Sequence, residues 1–88
     1  MLSNILPTET SLMCKKFFAG DVAGARRMQL DYLELVNALF CEVNPIPVKA
    51  ACAAMGLCDD YLRLPLTPME DAGKQNLLRL MRKAGLEV

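Results

Sequence analysis

The longest stretch of regularly spaced apolar residues in this chain begins at Val22. Its apolar positions recur every three or four residues, and they are Val22, Ala25, Met28, Tyr32, Leu35, Val36, Leu39 and Phe40. This spacing is the period of an α-helix with one buried face. Asp21, directly before it, is a residue type that caps helix N-termini. The pattern therefore predicts a long central helix that begins at Val22.

Two shorter helices are predicted on either side of it. The first extends from about Thr8 to Ala19, has an apolar face formed by Leu12, Met13, Phe17 and Phe18, and ends at Gly20. The other covers 48–55, and five of its eight residues are alanine or cysteine. Small side chains let another backbone approach closely. We therefore expect 48–55 to pack tightly against the long helix and to end at Gly56.

The last helix is predicted from the sequence Thr67-Pro68-Met69-Glu70. The threonine can cap the glutamate amide while the glutamate reaches back, and proline fits the first helical position. We expect the helix to continue to about Ala84 and to end at Gly85. Its inner face is predicted to consist of Met69, Ala72, Gly73, Leu77, Leu80, Met81 and Ala84.

Two prolines one residue apart interrupt the helical pattern within Glu42–Lys49. Neither fits a helix interior, so the chain is predicted to turn here. A residue before proline favours extended backbone, which predicts extended conformations for Asn44 and Ile46. Asn44 would then lie on the rim of a rigid elbow, where its polar side chain is a candidate for function.

Composition indicates a single small domain with surplus apolar surface. The chain has 88 residues, 53% of them hydrophobic, whereas so short a chain buries only about 60 to 65% of its unfolded surface. Some apolar surface should face a partner, either further copies of the chain or the remainder of a larger protein. Ten basic and ten acidic residues cancel, so nucleic acid is not an expected partner. No apolar run approaches the roughly 18 residues of a membrane span, and we expect a soluble cytoplasmic protein.

The residue types present exclude several common chemistries. Without histidine the chain cannot form a Ser-His or Cys-His pair. The cysteines, which we expect to be buried free thiols, are Cys14, Cys41, Cys52 and Cys58, and no two form a C-x-x-C pair. Asp59 and Asp60 are interpreted as solvated loop residues and not as an acid–base pair. We predict no catalytic residue, metal or cofactor within the chain.

Several motifs resemble those of one enzyme family. They are LFCEVNPIPVK at 39–49, GL at 56–57, LRLPLTP at 62–68 and AGL at 84–86. The chain is similar to the C-terminal part of the dihydrodipicolinate synthases, in the N-acetylneuraminate lyase superfamily. The resemblance implies a cytosolic homotetramer whose subunit is a (β/α)8 barrel followed by a helical domain. It also implies condensation of pyruvate, held as a Schiff base on a barrel lysine, with aspartate semialdehyde in lysine and diaminopimelate biosynthesis.

The residue pattern predicts an all-α fold with four helices, and the resemblance implies how these helices fit into the enzyme. Residues 1–20 would be the end of the barrel, containing its eighth helix, and residues 21–88 would be the C-terminal three-helix domain. The Schiff-base lysine, the proton-relay tyrosine and the aldehyde-binding arginine would lie upstream. We therefore expect an inactive fragment whose partner is the missing barrel part. Its exposed Phe17 or Phe18 side is expected to promote self-association.

Asn44 is the one site residue that the resemblance supplies. It matches the asparagine of the family's Asn-Pro-Ile-Pro motif, which implies contact with the second substrate; the alternative is that Asn44 only caps the following helix. Val43 and Ala50 stand where proline and tryptophan are frequent in the family, which leaves open a sister pyruvate-dependent aldolase of the same superfamily. A freestanding helical oligomerisation module is the remaining alternative.

Overall fold

The structure, a computed structural model, describes residues 1–88 and contains helices but no strands. The helices are α1 (Leu2–Ile5), α2 (Pro7–Phe18), α3 (Val22–Ala38), α4 (Ile46–Ala54) and α5 (Asp71–Lys83). The all-α prediction is confirmed, and the four expected helices are all present. Helix α1 was missed because a single turn of four residues is too short to show a helical period. No helix has the length and apolar character that crossing a membrane requires.

One hydrophobic core holds α1, the second half of α3, α4 and α5 together. Its buried side chains are Ile5, Leu6, Leu35, Ala38, Leu39, Ile46, Ala50, Ala51, Met69, Leu77, Leu80 and Met81. Helix α4 packs mainly against α1 and α5, so the prediction that it packs on the long helix α3 is wrong. Ile5 and Leu6 of the short N-terminal segment, which are almost completely buried, occupy the place beside α4 that was expected for α3.

Helix α2 lies outside this core and packs along α3 as the other arm of a helical hairpin. None of its residues is buried, and the molecule is correspondingly elongated, measuring 44 × 21 × 20 Å. Phe17 and Phe18 are 55% and 84% exposed, and their rings meet edge to face with centroids 5.9 Å apart. The apolar face predicted for α2 is therefore surface in this chain, with the phenylalanines exposed as expected.

The ends of the helices are where the local predictions were most accurate. The Asp21 carboxylate accepts a hydrogen bond from the Gly24 N–H at 2.9 Å, which confirms the cap of α3. The glycines that follow α2, α4 and α5 have φ of 92°, 79° and 98°, the left-handed region that glycine adopts without a Cβ clash.

The start of α5 was predicted wrongly. The helix begins at Asp71 with Glu70 as its N-cap, and no side chain of the N-cap residue bonds to it. The expected reciprocal cap between Thr67 and Glu70 does not form, because the Glu70 N–H donates to the side chain of Glu42, 28 residues earlier. Of the predicted inner face, Met69, Leu77, Leu80 and Met81 are buried, whereas Ala72 is exposed.

The cysteines are free, as expected, but their predicted burial is wrong. Cys14, Cys41 and Cys58 are exposed, and Cys52 on α4 is half-buried. Cys14 lies on α2, which has no buried residue, and the other two exposed cysteines lie in turns beyond the helix ends. A cysteine is buried only where its position faces the core, whatever its own hydrophobicity.

Candidate functional site

The elbow between α3 and α4 is the candidate site, and its backbone is tightly turned. The Ile46 N–H donates to the Val43 carbonyl at 2.8 Å, and the Lys49 N–H donates to the Pro45 carbonyl at 2.9 Å. The Asn44–Pro45 peptide bond is cis. The predicted turn is confirmed, but Ile46 is the first residue of α4 and is not extended. Pro47 is tolerated at the second helical position because its missing N–H has no intrahelical acceptor in the first turn.

Two interactions fix the elbow: the burial of its apolar side chains and a hydrogen bond to a carboxylate. Ile46 is 6% exposed, and Pro47 is among the most deeply buried side chains of the chain. The Glu42 Oε2 atom accepts the Glu70 N–H at 3.0 Å. An anion at this point also lies at the positive end of α5, where the helix dipole favours it.

Gly73, in the first turn of α5, faces the elbow. A Cβ atom built on Gly73 would lie 3.3 Å from the Met69 methyl, 3.7 Å from the Cys41 Sγ and 3.9 Å from the Glu42 Oε2. The first of these distances is tighter than ordinary van der Waals contact. The Cys41 and Glu42 atoms are at ordinary contact distance, so an added Cβ would press on the end of the Met69 side chain and not on the elbow.

Asn44 is exposed at the tip of this anchored loop. The N-cap of α4 is Pro45 and no side chain bonds there, so the alternative that Asn44 caps α4 is wrong. None of the side-chain hydrogen bonds in the chain involves Asn44. Its amide is thus free to donate two hydrogen bonds and to accept others from a bound molecule. Sequence reasoning found Asn44 but missed the role of Glu42, which depends on its contact with Glu70, 28 residues later.

The other polar groups near the elbow do not form a nucleophile with its base. Burial first, and then the neighbouring Cys58, raise the pKa of the Cys52 thiol above its ordinary value of 9.0, while Lys49 acts in the opposite direction. Cys52 is therefore a protonated and weakly nucleophilic thiol at neutral pH. Asp59 and Asp60 lie exposed in the link that follows α4. No three cysteine, aspartate or glutamate side chains gather closely enough to hold a metal ion.

Comparison with known proteins connects this geometry to one family. The sequence model described as the Dihydrodipicolinate synthetase family matches residues 1–84. The chain belongs to this family. The resemblance drawn from the proline motifs is therefore confirmed at the level of the family, and the match includes the whole elbow and both helices that it joins.

Individual relatives agree with the family match. A 4-hydroxy-tetrahydrodipicolinate synthase of Lachnoclostridium phytofermentans is 51% identical over 86 residues, which cover 98% of this chain and 29% of that protein. The enzyme of the same name from Alkaliphilus oremlandii is 48% identical over 84 residues, covering 96% of this chain and 29% of the relative. The chain thus spans less than a third of the length of the dihydrodipicolinate synthase family members that it matches.

Solved structures of the dihydrodipicolinate synthase family contain the same helical arrangement. The synthase of Thermotoga maritima superposes with a TM-score of 0.94 at 35% identity, and the match covers 97% of this chain and 29% of that one. A structure described as the first monomeric dihydrodipicolinate synthase variant gives 0.95 at 36% identity, covering 99% of this chain and 29% of that one. Both α4 and the elbow therefore lie within a fold that this family shares.

Proposed function

We propose that this chain supplies the helical C-terminal part of a 4-hydroxy-tetrahydrodipicolinate synthase, a lyase of lysine and diaminopimelate biosynthesis in the cytoplasm. The observation that carries the proposal is the match to relatives of that name, which extends over nearly the whole chain at 48% and 51% identity. The reaction joins pyruvate, activated as a Schiff base, to aspartate semialdehyde. The protonated imine withdraws electrons and turns the adjacent carbon into a nucleophile.

Within that enzyme we propose that residues 1–20 end the (β/α)8 barrel, with α2 as its eighth helix, and that residues 21–88 form the C-terminal domain. Support comes from the position of α2, which buries none of its residues in this chain and leaves its apolar face open. The partner proposed for that face is the barrel part of the same enzyme, in an assembly of four subunits. Ile5 and Leu6 would join the two parts through the core that they share with α4.

Asn44 is proposed to contact the second substrate at the mouth of the active site. Its exposed side chain has no hydrogen bond within the chain, while the loop on both sides of it is fixed by Pro47 and Glu42. The backbone that carries this group is therefore already ordered before binding, and only the Asn44 side chain has to be fixed. Its amide can donate to the carboxylate and accept from the ammonium group of an amino acid semialdehyde.

The 88-residue chain alone is proposed to be inactive, because the lysine that forms the Schiff base belongs to the barrel. The chain is mixed with pyruvate and borohydride, and its mass is measured, with the full-length Thermotoga maritima enzyme as the positive control. We expect a pyruvyl adduct on the control and none on this chain. A stoichiometric adduct on the chain would contradict its inactivity.

Complementation tests the assignment of the chain to the synthase. We expect condensing activity when the chain is co-expressed with the remaining N-terminal part of the Lachnoclostridium phytofermentans enzyme, and a rise in KM for the semialdehyde in Asn44→Ala. The matched control is Asn76→Ala, another exposed asparagine, on α5, which should leave KM unchanged. A folded complex that converts a different aldehyde in preference to aspartate semialdehyde would instead favour a sister pyruvate-dependent aldolase.

The exposed phenylalanines support a second role, that of a helical module that self-associates. Phe17→Ser/Phe18→Ser should lower the mass of the chain's assemblies in sedimentation experiments, because it removes the largest apolar groups from the open side of α2. Leu57→Ser in the link is a control of similar exposure. An assembly of unchanged mass would show that the α2 face is not used.

A further inference from the structure

A second row of exposed residues follows the side of α3 that faces away from the core and continues into the turn after the helix. Its members are spaced by three and four residues; they are Ala23, Arg26, Leu30, Leu33 and Asn37 in α3, and Phe40 two residues beyond its end. Leu30 is 61%, Leu33 45% and Phe40 57% exposed. We call these six residues the outer stripe of α3. Steps of three and four give an average of 3.5 residues, the spacing by which two helices pair along their length.

Two copies of the outer stripe fit together when they run in opposite directions. The midpoint of the stripe lies between Leu30 and Leu33, and an antiparallel copy placed across that midpoint sets Leu30 against the partner's Leu33. The same placement brings Phe40, in the turn after α3, near the partner's small Ala23 at each end of the pair. The centre of the pair is therefore aliphatic.

Polar positions of α3 agree with the same placement. Arg26 meets the partner's Asn37, whose amide oxygen can accept a hydrogen bond. Arg27 and Glu34 are seven residues apart and so lie on the same flank of the helix. In an antiparallel pair this flank of one copy lies against the same flank of the other copy. Arg27 of one copy and Glu34 of the other then differ by about 3 Å in height along the helix axis. Arg27 would therefore lie beside the partner's Glu34, twice in each pair.

Charge along α3 favours the antiparallel direction over the parallel one. The first half of the helix carries Arg26 and Arg27, whereas the second half carries Asp31 and Glu34. All four side chains are exposed, and none hydrogen bonds within the chain. A parallel copy would set each of these charges level with its own like charge. An antiparallel copy leaves only Asp31 level with its own copy and sets Arg27 beside the partner's Glu34.

We propose that the outer stripe of α3 is the surface on which a second copy of this chain docks, antiparallel to the first across a two-fold axis. The contact is isologous, so it closes at two copies and does not extend into a fibre. Only a few apolar layers are buried, which makes it a small interface with an affinity expected in the micromolar range. Arg26 and Leu30 also border the groove between α2 and α3 that Phe17 and Phe18 line, so the outer stripe adjoins the α2 surface. The inference does not depend on the proposed enzyme.

Sedimentation equilibrium of the full 88-residue chain tests the proposal, at concentrations from about 1 µM to about 1 mM. We expect a dimer whose dissociation constant rises by about 100-fold in Leu30→Lys, because two charges would then replace the aliphatic centre. The matched control is Leu64→Lys, since Leu64 is 87% exposed in the link and away from α3. Far-UV circular dichroism checks that each variant keeps its helices.

A charge exchange tests the direction and register of the pair. Arg27→Glu alone and Glu34→Arg alone should each weaken the dimer by roughly 10-fold, because each places like charges at two symmetric contacts. The double variant R27E/E34R should restore the original affinity. The series is repeated in Phe17→Ser/Phe18→Ser, so that association through α2 does not contribute. The proposal is overturned if the chain is a monomer at about 1 mM or if Leu30→Lys leaves the dimer intact. It is also overturned if the dimer is lost in Phe17→Ser/Phe18→Ser, or if R27E/E34R does not recover the original affinity.

Discussion

Glu42→Ala removes the one side chain that caps the N-terminus of α5 in this structure. The Glu70 N–H, which now donates to the Glu42 Oε2 atom at 3.0 Å, would be left to water. Loss of a helix cap costs about 0.5 to 2 kcal/mol. Because this hydrogen bond is exposed, we expect the cost to lie near the middle of that range, at about 1 kcal/mol. Glu42→Gln keeps an oxygen acceptor and loses only the charge, so we expect it to lose about half as much.

Thermal and urea unfolding, followed by far-UV circular dichroism, measure this loss. An unfolding entropy of about 2.1 cal/mol/K per residue, applied to 88 residues, converts 1 kcal/mol into a fall in Tm of about 5 °C. Measurements at a few micromolar protein keep self-association from contributing. Glu87→Ala is the control, because Glu87 is exposed near the C-terminus and its side chain makes no hydrogen bond within the chain.

Hydrogen exchange separates a local cap from a general loss of stability. In Glu42→Ala the Glu70 amide should exchange faster, and the elbow amides of Ile46 and Lys49 should follow because the loop is no longer tied to α5. The reasoning would be refuted by a Tm equal to that of Glu87→Ala. It would also be refuted if Glu42→Gln lost as much stability as Glu42→Ala, since the acceptor oxygen would then be irrelevant.

Three further changes test the core, a helix end and a thiol. Leu77→Ala should cost about 2 to 5 kcal/mol in urea unfolding because Leu77 is fully buried, whereas Leu64→Ala should stay within about 0.5 kcal/mol; equal losses would contradict the assigned core. Gly56→Ala should cost about 1 kcal/mol because φ is 79° there, and a neutral result would mean that α4 ends differently. Cys52 should react with iodoacetamide more slowly than exposed Cys14 at pH 8. Because the pKa of Cys52 is raised in the folded state, the free energy of unfolding should fall as pH rises above 9.0. Cys52→Ala should lessen this fall. An unchanged pH profile in Cys52→Ala would refute the assignment.

Features determined by neighbouring residues were predictable from the sequence, and features determined by distant contacts were not. The cap at Asp21 and the glycine at position 56 follow from the conformational preferences of single residues, so both were predicted correctly. The start of α5 was missed because the acceptor for Glu70 comes from Glu42, 28 residues away. Thr67 offered a plausible local cap, and the tertiary contact replaced it.

The candidate site shows the same division. Two prolines were enough to predict a turn and to direct attention to Asn44, because proline restricts its own backbone and that of its neighbour. The anchoring of the turn by Pro47 in the core and by the hydrogen bond between Glu42 and Glu70 could not be predicted. Those contacts depend on how α4 and α5 pack, and the sequence had suggested the wrong partner for α4.

Helix α2 buries none of its residues, and this divides the chain into two units of unequal stability. Amide protons of α5 can exchange only when the core around Leu77 opens, whereas those of α2 need only separation from α3. A short helix is marginal by itself in water, so α2 should fray at free energies far below global unfolding. Proteases should therefore cut first within Pro7–Phe18, and Val22–Val88 should persist with the Met1–Leu6 piece still bound to it, because Ile5 and Leu6 belong to the same core.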